Sequence, residues 1–155
     1  MQFNNLAEII DFAIEKEKEA AEFYLSISSQ EQFSGKKEML LEFSAQERNH
    51  QRLLESLKAG KAGKALEGYK FKWIKDIKRS DYAVEITYRP GMPYNELLML
   101  AMKREEKALK LYNEMLAKAD TDEQKKVFKM LCQEEAKHKL SLETIYDDYM
   151  AQMGD

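Results

Sequence analysis

Two short stretches decide how this chain folds: SAQERNH, residues 44–50, and CQEEAKH, residues 132–138. In each, a glutamate stands three residues before a histidine, Glu47 before His50 and Glu135 before His138. On a helix, residues three apart lie on one face, so each pair projects to the same side. The two stretches are offset by 88 residues. The same offset pairs Glu8 with Glu96, Ala13 with Ala101, Glu17 with Glu105, Ala20 with Ala108, Tyr24 with Tyr112 and Leu54 with Leu142, with no gap. The chain therefore reads as two copies of one unit.

Working outward from the repeat, apolar periodicity divides the chain into four helices, roughly 5–30, 35–59, 93–119 and 122–150. Ser34, with Lys37 at the position of a weak capping box, and Asp120 to Asp122 are expected helix starts. Gly60 and Gly63 are expected to end the second helix. Pro90, Gly91 and Pro93 mark the approach to the third, since proline fits only a helix's first turn. Short connections near 31–34 and 120–122 make two antiparallel hairpins, 5–59 and 93–150. The crossover, 60–92, is long enough to run the length of a bundle. Within it Phe71 to Lys78 reads as a short helix and Tyr82 to Tyr88 as extended, with the aromatics packing on the bundle's outside. The expected architecture is all-α, one four-helix bundle of two repeated hairpins over residues 1–155.

Each helix carries an apolar seam at alternating four-and-three spacing. In the first it reads Leu6, Ile10, Ala13, Glu17, Ala20, Tyr24, Ile27, and in the second Leu40, Phe43, Glu47, His50, Leu54, Leu57. The third and fourth repeat the pattern around Glu105 and around Glu135 with His138. Only the middle of each seam is polar. Counting from the turns puts the polar residues of each hairpin at one height, so Glu17, Glu47, His50, Glu105, Glu135 and His138 should meet in one layer of the core.

Four ionised carboxylates without water would cost several kcal/mol each. Two divalent cations balance the four negative charges and leave the histidines neutral. Carboxylate with imidazole suits iron, manganese or zinc. A lone Glu-x-x-His is usually a solvated surface pair; its repetition on seam positions is what points to metal. By contrast Glu15, Glu19, Glu22, Glu106 and Glu134 read as solvated face residues paired i,i+4 with lysines, although Glu134 adjoins a ligand candidate. The methionines read as core filler, and Cys132 as a small buried hydrophobe.

Composition closes other routes. With 28 acidic and 25 basic side chains the net charge is -3, which does not suit a nucleic-acid partner. No stretch reaches the ~20 apolar residues of a membrane span, and the first residues lack the pattern of a signal peptide, so a cytoplasmic protein is expected. Cys132 is the single cysteine, which excludes an internal disulfide and a site built on several thiolates.

A lone Glu with Ala at +3 and Tyr at +7, then Glu-x-x-His, with the set repeated, resembles the rubrerythrin branch of the ferritin-like superfamily. The resemblance runs through Glu17-Ala20-Tyr24, Glu47 to His50, Glu105-Ala108-Tyr112 and Glu135 to His138, essentially the whole chain. It implies a ferritin-like bundle with a di-iron (Fe-Fe) site, bridged by Glu47 and Glu135. Glu17 and Glu105 would be terminal carboxylates, and His50 and His138 would bind one iron each. Tyr24 and Tyr112 would orient the terminal carboxylates through their hydroxyls. Full-length rubrerythrins also carry a rubredoxin-like iron–tetracysteine domain, which one cysteine cannot make, so electrons are expected from a separate donor such as a rubredoxin. They have a further glutamate one turn after the third-helix ligand; here that position is Ala108.

The implied activity is reduction of hydrogen peroxide, or of dioxygen, by a di-iron oxidoreductase. The alternatives are a ferroxidase or iron-handling protein, and a bundle whose metal only fixes the fold. A homodimer is expected from Phe12 and Phe23, which lie off the seam, unless the crossover covers them.

Overall fold

The seam spacing produces helices where it predicts them. In the computed structural model, which describes residues 6–30, 34–71, 87–89 and 92–153, α1 is Leu6–Gln30, α2 is Ser34–Lys58 and α3 is a single turn at Gly63–Leu66. Tyr94–Ala117 forms α4 and Asp122–Met153 forms α5. Each of the four long helices spans at least ~36 Å at about 1.5 Å per residue. The α3 turn falls inside the crossover, ahead of the stretch at 71–78 where a short helix was expected. The segments expected as a helix at 71–78 and as extended chain at 82–88 lie almost wholly outside the described residues.

Helix ends follow backbone chemistry. Gly60 takes φ +74° after α2. Its N–H bonds the Leu57 carbonyl at 3.0 Å while the Lys61 N–H reaches Ser56 at 2.8 Å, the paired bonds that close a helix on a left-handed residue. Gly63 does not end α2, contrary to expectation, but opens α3. Pro93 is the residue that caps α4, and its carbonyl accepts the Leu97 N–H at 3.0 Å. At α5 the cap falls between the two aspartates considered from sequence. The Thr121 hydroxyl oxygen accepts the Gln124 N–H at 3.1 Å, and Gln124 Oε1 accepts the N–H groups of Thr121 and Asp120 at 3.1 and 2.8 Å. This is a reciprocal capping box.

The helices pack most extensively within the hairpins α1–α2 and α4–α5, and less between them. Two apolar clusters fill the bundle. One joins Ile9, Ile10 and Ile14 to Leu53, Leu54 and Leu57 and to Val127, Phe128 and Leu131. The other joins Phe23, Tyr24 and Ile27 to Leu40, Phe43, Leu98 and Met102. Because the start of α1 meets the end of α2 in the first cluster, the helices are antiparallel and the clusters occupy opposite ends. The middle of the bundle lies between them.

Of the two off-seam phenylalanines, Phe23 is buried, with the Tyr88 ring edge-on at 5.8 Å and the Arg104 guanidinium over its face at 4.0 Å. The crossover thus covers Phe23, and Phe12 is half-buried with Lys16 over its ring. Among the described residues four of the five glutamates expected to pair i,i+4 with lysines pair i,i+3 instead, as Lys16–Glu19, Lys18–Glu15, Lys103–Glu106 and Lys137–Glu134, and Glu22 meets Arg48 of α2 at 3.9 Å.

No atom stands within 4 Å of a Cβ added at Gly60, so Gly60→Ala meets only the left-handed backbone. It should lower unfolding free energy by about 1–2 kcal/mol, and Thr121→Ala by about 1 kcal/mol. Urea denaturation of each variant checks this; an unchanged midpoint would remove the assigned cap.

Candidate metal centre

Between the two apolar clusters all four long helices turn polar side chains inward. α1 supplies Glu17 and α4 supplies Glu105; α2 supplies Glu47 and His50, and α5 supplies Glu135 and His138. None of the six is more than 6% exposed. They form two groups, Glu17–Glu47–His50–Glu135 and Glu47–Glu105–Glu135–His138, in each of which the candidate ligand atoms lie within 4.8 Å of one another. Glu47 and Glu135 belong to both. All six residues singled out from sequence are therefore brought together, and the two shared ones are those expected to bridge.

The histidines face across the bundle rather than along their own helices. His50 Nδ1 lies 2.7 Å from Glu135 Oε1, 3.6 Å from Glu17 Oε2 and 3.8 Å from Glu47 Oε2. His138 Nδ1 lies 2.9 Å from Glu47 Oε1 and 3.6 Å from Glu105 Oε1. The imidazoles are stacked, with centroids 5.7 Å apart.

Whether these side chains fit metal is tested by what they leave unsatisfied. Glu17 Oε2, Glu47 Oε1, Glu105 Oε2, Glu135 Oε2 and His138 Nδ1 are buried without a hydrogen-bond partner. One oxygen of every carboxylate is thus orphaned, a costly condition inside a protein. His50 Nδ1 shares a hydrogen bond with Glu135 Oε1, whereas His138 Nδ1 and Glu47 Oε1 stand 2.9 Å apart with no hydrogen bond between them. A cation supplies what both lack, and the cluster fits a two-metal site.

Electrostatics agree. Burial, followed by the charges of the other carboxylates, pushes Glu47 and Glu135 well above the usual carboxylate range. Burial also opposes ionisation of Glu17 and Glu105. For Glu17 it is outweighed by the neighbouring Glu47, His50 and Tyr112, which lower it; for Glu105, the neighbouring Glu135, His138 and Tyr24 bring it down to about 2. His50 is raised despite its burial, chiefly by Glu17. The shared pair thus holds protons while the outer pair holds charge.

The tyrosines act crosswise. Tyr24 on α1 donates to Glu105 Oε1 on α4 at 2.7 Å, and Tyr112 on α4 donates to Glu17 Oε1 on α1. Burial and the nearby carboxylates hold both phenols well above their ordinary range, so they stay protonated as donors. Sequence reasoning missed Gln46. His138 Nε2 bonds Gln46 Oε1, while Gln46 Nε2 donates to Glu42 at 3.2 Å. With the amide oriented by Glu42, Nε2 of His138 carries the proton and Nδ1 faces the centre as an acceptor. The repeat offers the signal that could have found it, because Gln46 corresponds to Glu134. Glu134, read as a solvated residue, is half-buried; its charge adds to burial in raising the Tyr69 hydroxyl and, after Glu17 and Glu105, to the raising of His50. Cys132 is half-buried and its thiol is pushed up to about 11 by burial.

Three groups, Glu47, Glu135 and His50, have folded-state pKa values above their unfolded ones. The stability they contribute is complete at low pH and lost as pH rises through the folded values. Metal-free protein should therefore melt at lower temperature at pH 8 than at pH 5.5, and divalent cation should restore most at the higher pH. A flat or rising midpoint in calorimetry would contradict this. Gln46→Leu, which removes the acceptor at His138 Nε2, should weaken binding of one metal about 10- to 100-fold in competition with a chromophoric chelator. Unchanged affinity would make that bond incidental.

Comparison with known proteins bears on this geometry. Neither the curated proteins nor the solved structures contain a match to the chain. The family model described as Rubrerythrin matches residues 8–146, a span that begins before Glu17 and ends after His138. The chain belongs to the rubrerythrin family.

Proposed function

We propose that this protein is a di-iron carboxylate oxidoreductase that reduces hydrogen peroxide, or alternatively dioxygen, with electrons from a separate donor protein such as a rubredoxin. The observation that carries this reading is the pair of ligand groups sharing Glu47 and Glu135, with an unsatisfied buried oxygen on each of the four carboxylates. By this reading Glu47 and Glu135, which belong to both ligand groups, would be shared by the two ions. Glu17 and His50 complete one site, and Glu105 and His138 the other. Manganese and zinc fit the same donors; redox chemistry selects iron. An iron pair held there would supply two electrons, one from each ferrous ion, which with two protons convert peroxide to two waters.

The chain's own groups do the rest. Tyr112 and Tyr24 hold Glu17 and Glu105 by one oxygen each and leave the other oxygen directed inward. Their hydroxyl protons sit directly on carboxylates that face the centre, which makes them candidates for proton delivery. The apolar clusters above and below exclude bulk water and strengthen every charge interaction between them. Within these residues a four-thiolate iron site cannot be assembled from Cys132 alone, so the electrons are proposed to come from outside this bundle. Among the described residues no helix is long and apolar enough to cross a membrane, which is compatible with the cytoplasmic location proposed.

Anaerobic ferrous loading followed by mixing with peroxide or air, read by near-ultraviolet absorption, tests the function. Two irons per chain and oxidation much faster with peroxide are expected. Faster reaction with air followed by release of iron would establish iron handling instead. Glu47→Ala and Glu135→Ala should each abolish binding of both ions; two irons per chain in either variant would refute bridging.

A further inference from the structure

A cavity of about 490 Å³ opens between α1 and α4 and reaches the centre, where Glu17, Glu47 and Tyr112 form part of its wall. Peroxide needs no more than about two water volumes, ~60 Å³. The cavity is therefore several times larger than the reaction proposed above requires, and it falls in the range of sites for organic ligands.

Its position follows from the repeat. Phe12 and Leu100, Lys16 and Arg104, Ala20 and Ala108 are related by the 88-residue offset, and all six line it. The space exists because the residues three after Glu17 and Glu105 are alanines. Phe12, Leu100 and Leu111 make an apolar wall. From Leu100 to Leu111, α4 runs about 16 Å at ~1.5 Å per residue.

Charge at this cavity is one-sided. Lys16, Lys103, Arg104 and Lys107 line it, against Glu19 once the ligand carboxylates are neutralised by metal. Lys16 is paired with Glu19 at 3.2 Å and Lys103 with Glu106 at 3.4 Å. Arg104 differs: its guanidinium carbon sits over the Phe23 ring at 4.0 Å, and its Nε is buried with no hydrogen-bond partner. A guanidinium held against an aromatic ring in the wall of an apolar trough, with three lysines around it, is what a carboxylate with a hydrocarbon body requires.

We propose that this cavity binds an amphiphilic organic monocarboxylate, its carboxylate at Arg104 and its apolar body along Phe12, Leu100 and Leu111, against the Glu17–Glu47 side of the centre. The inference rests on the two-metal reading of that centre.

Decanoate titrated into zinc-loaded protein, followed by amide NMR shifts, tests it. Saturable binding of one decanoate per chain is expected, with shifts centred on Ala20, Lys107 and Ala108. Arg104→Gln should weaken it about tenfold or more, and decanol should bind more weakly than decanoate by a similar factor. Ala108→Leu and Ala20→Leu, each checked for helicity by circular dichroism, should abolish binding by filling the trough. Acetate binding as tightly as decanoate, or unchanged affinity in Arg104→Gln, would overturn the proposal. So would absence of saturable binding in protein that holds two zinc ions per chain, an outcome that leaves the centre standing. Failure to take up two zinc ions would overturn the centre itself.

Discussion

Everything in this bundle is arranged around four carboxylates that share one buried layer. Glu17, Glu47, Glu105 and Glu135 come from four different helices, and none is more than 2% exposed. Left to themselves they cannot all ionise, and the molecule's response is legible in its protonation. Burial keeps protons on the two glutamates at the centre, while tyrosine and histidine neighbours stabilise charge on the outer two. A pair of divalent cations resolves the same conflict without protons. The layer is thus unfavourable for a metal-free fold and favourable for a metal-loaded one, which is the relation expected when binding and folding are coupled.

The same layer braces the bundle. Each hairpin packs chiefly with itself, and the contacts between hairpins are sparser. Across that seam run the polar links: Tyr24 to Glu105, Tyr112 to Glu17, His50 to Glu135 and Gln46 to His138. Every one joins a residue of the first hairpin to one of the second. Hydrogen bonds that orient the ligands therefore also hold the two repeats together, so metal uptake and the mutual alignment of the hairpins are not separable properties.

Departures from the repeat are as informative as the repeat. Gln46 and Glu134 occupy equivalent positions, yet a neutral amide backs His138 while a carboxylate acts on His50. The two ligand groups are alike in their donors and unlike in what stands behind the imidazoles. Between α1 and α4, Arg104 answers to Lys16 and Lys107 to Glu19, which makes the α4 side of the cavity the more cationic. The centre is nearly symmetric, whereas its approach is not.

Helix positions, hairpin pairing and the six inward residues were determined by sequence, because all depend on spacing. A three-residue interval puts Glu47 with His50 on one face, and an uninterrupted offset puts both sets at one height. Caps were partly legible: Pro93 and Gly60 have backbone geometries that restrict where they fall, whereas Thr121 outcompeted its aspartate neighbours through a reciprocal bond to Gln124. What only the tertiary structure decided are relations between helices distant in sequence. That Tyr24 serves the glutamate of the other hairpin, that Gln46 holds His138, that Arg104 lies on Phe23 and that Phe23 is covered by Tyr88 follow from packing across the bundle. Periodicity fixes which way a side chain points from its own axis; which partner it meets depends on how the neighbouring helices are set against it, and no single helix encodes that.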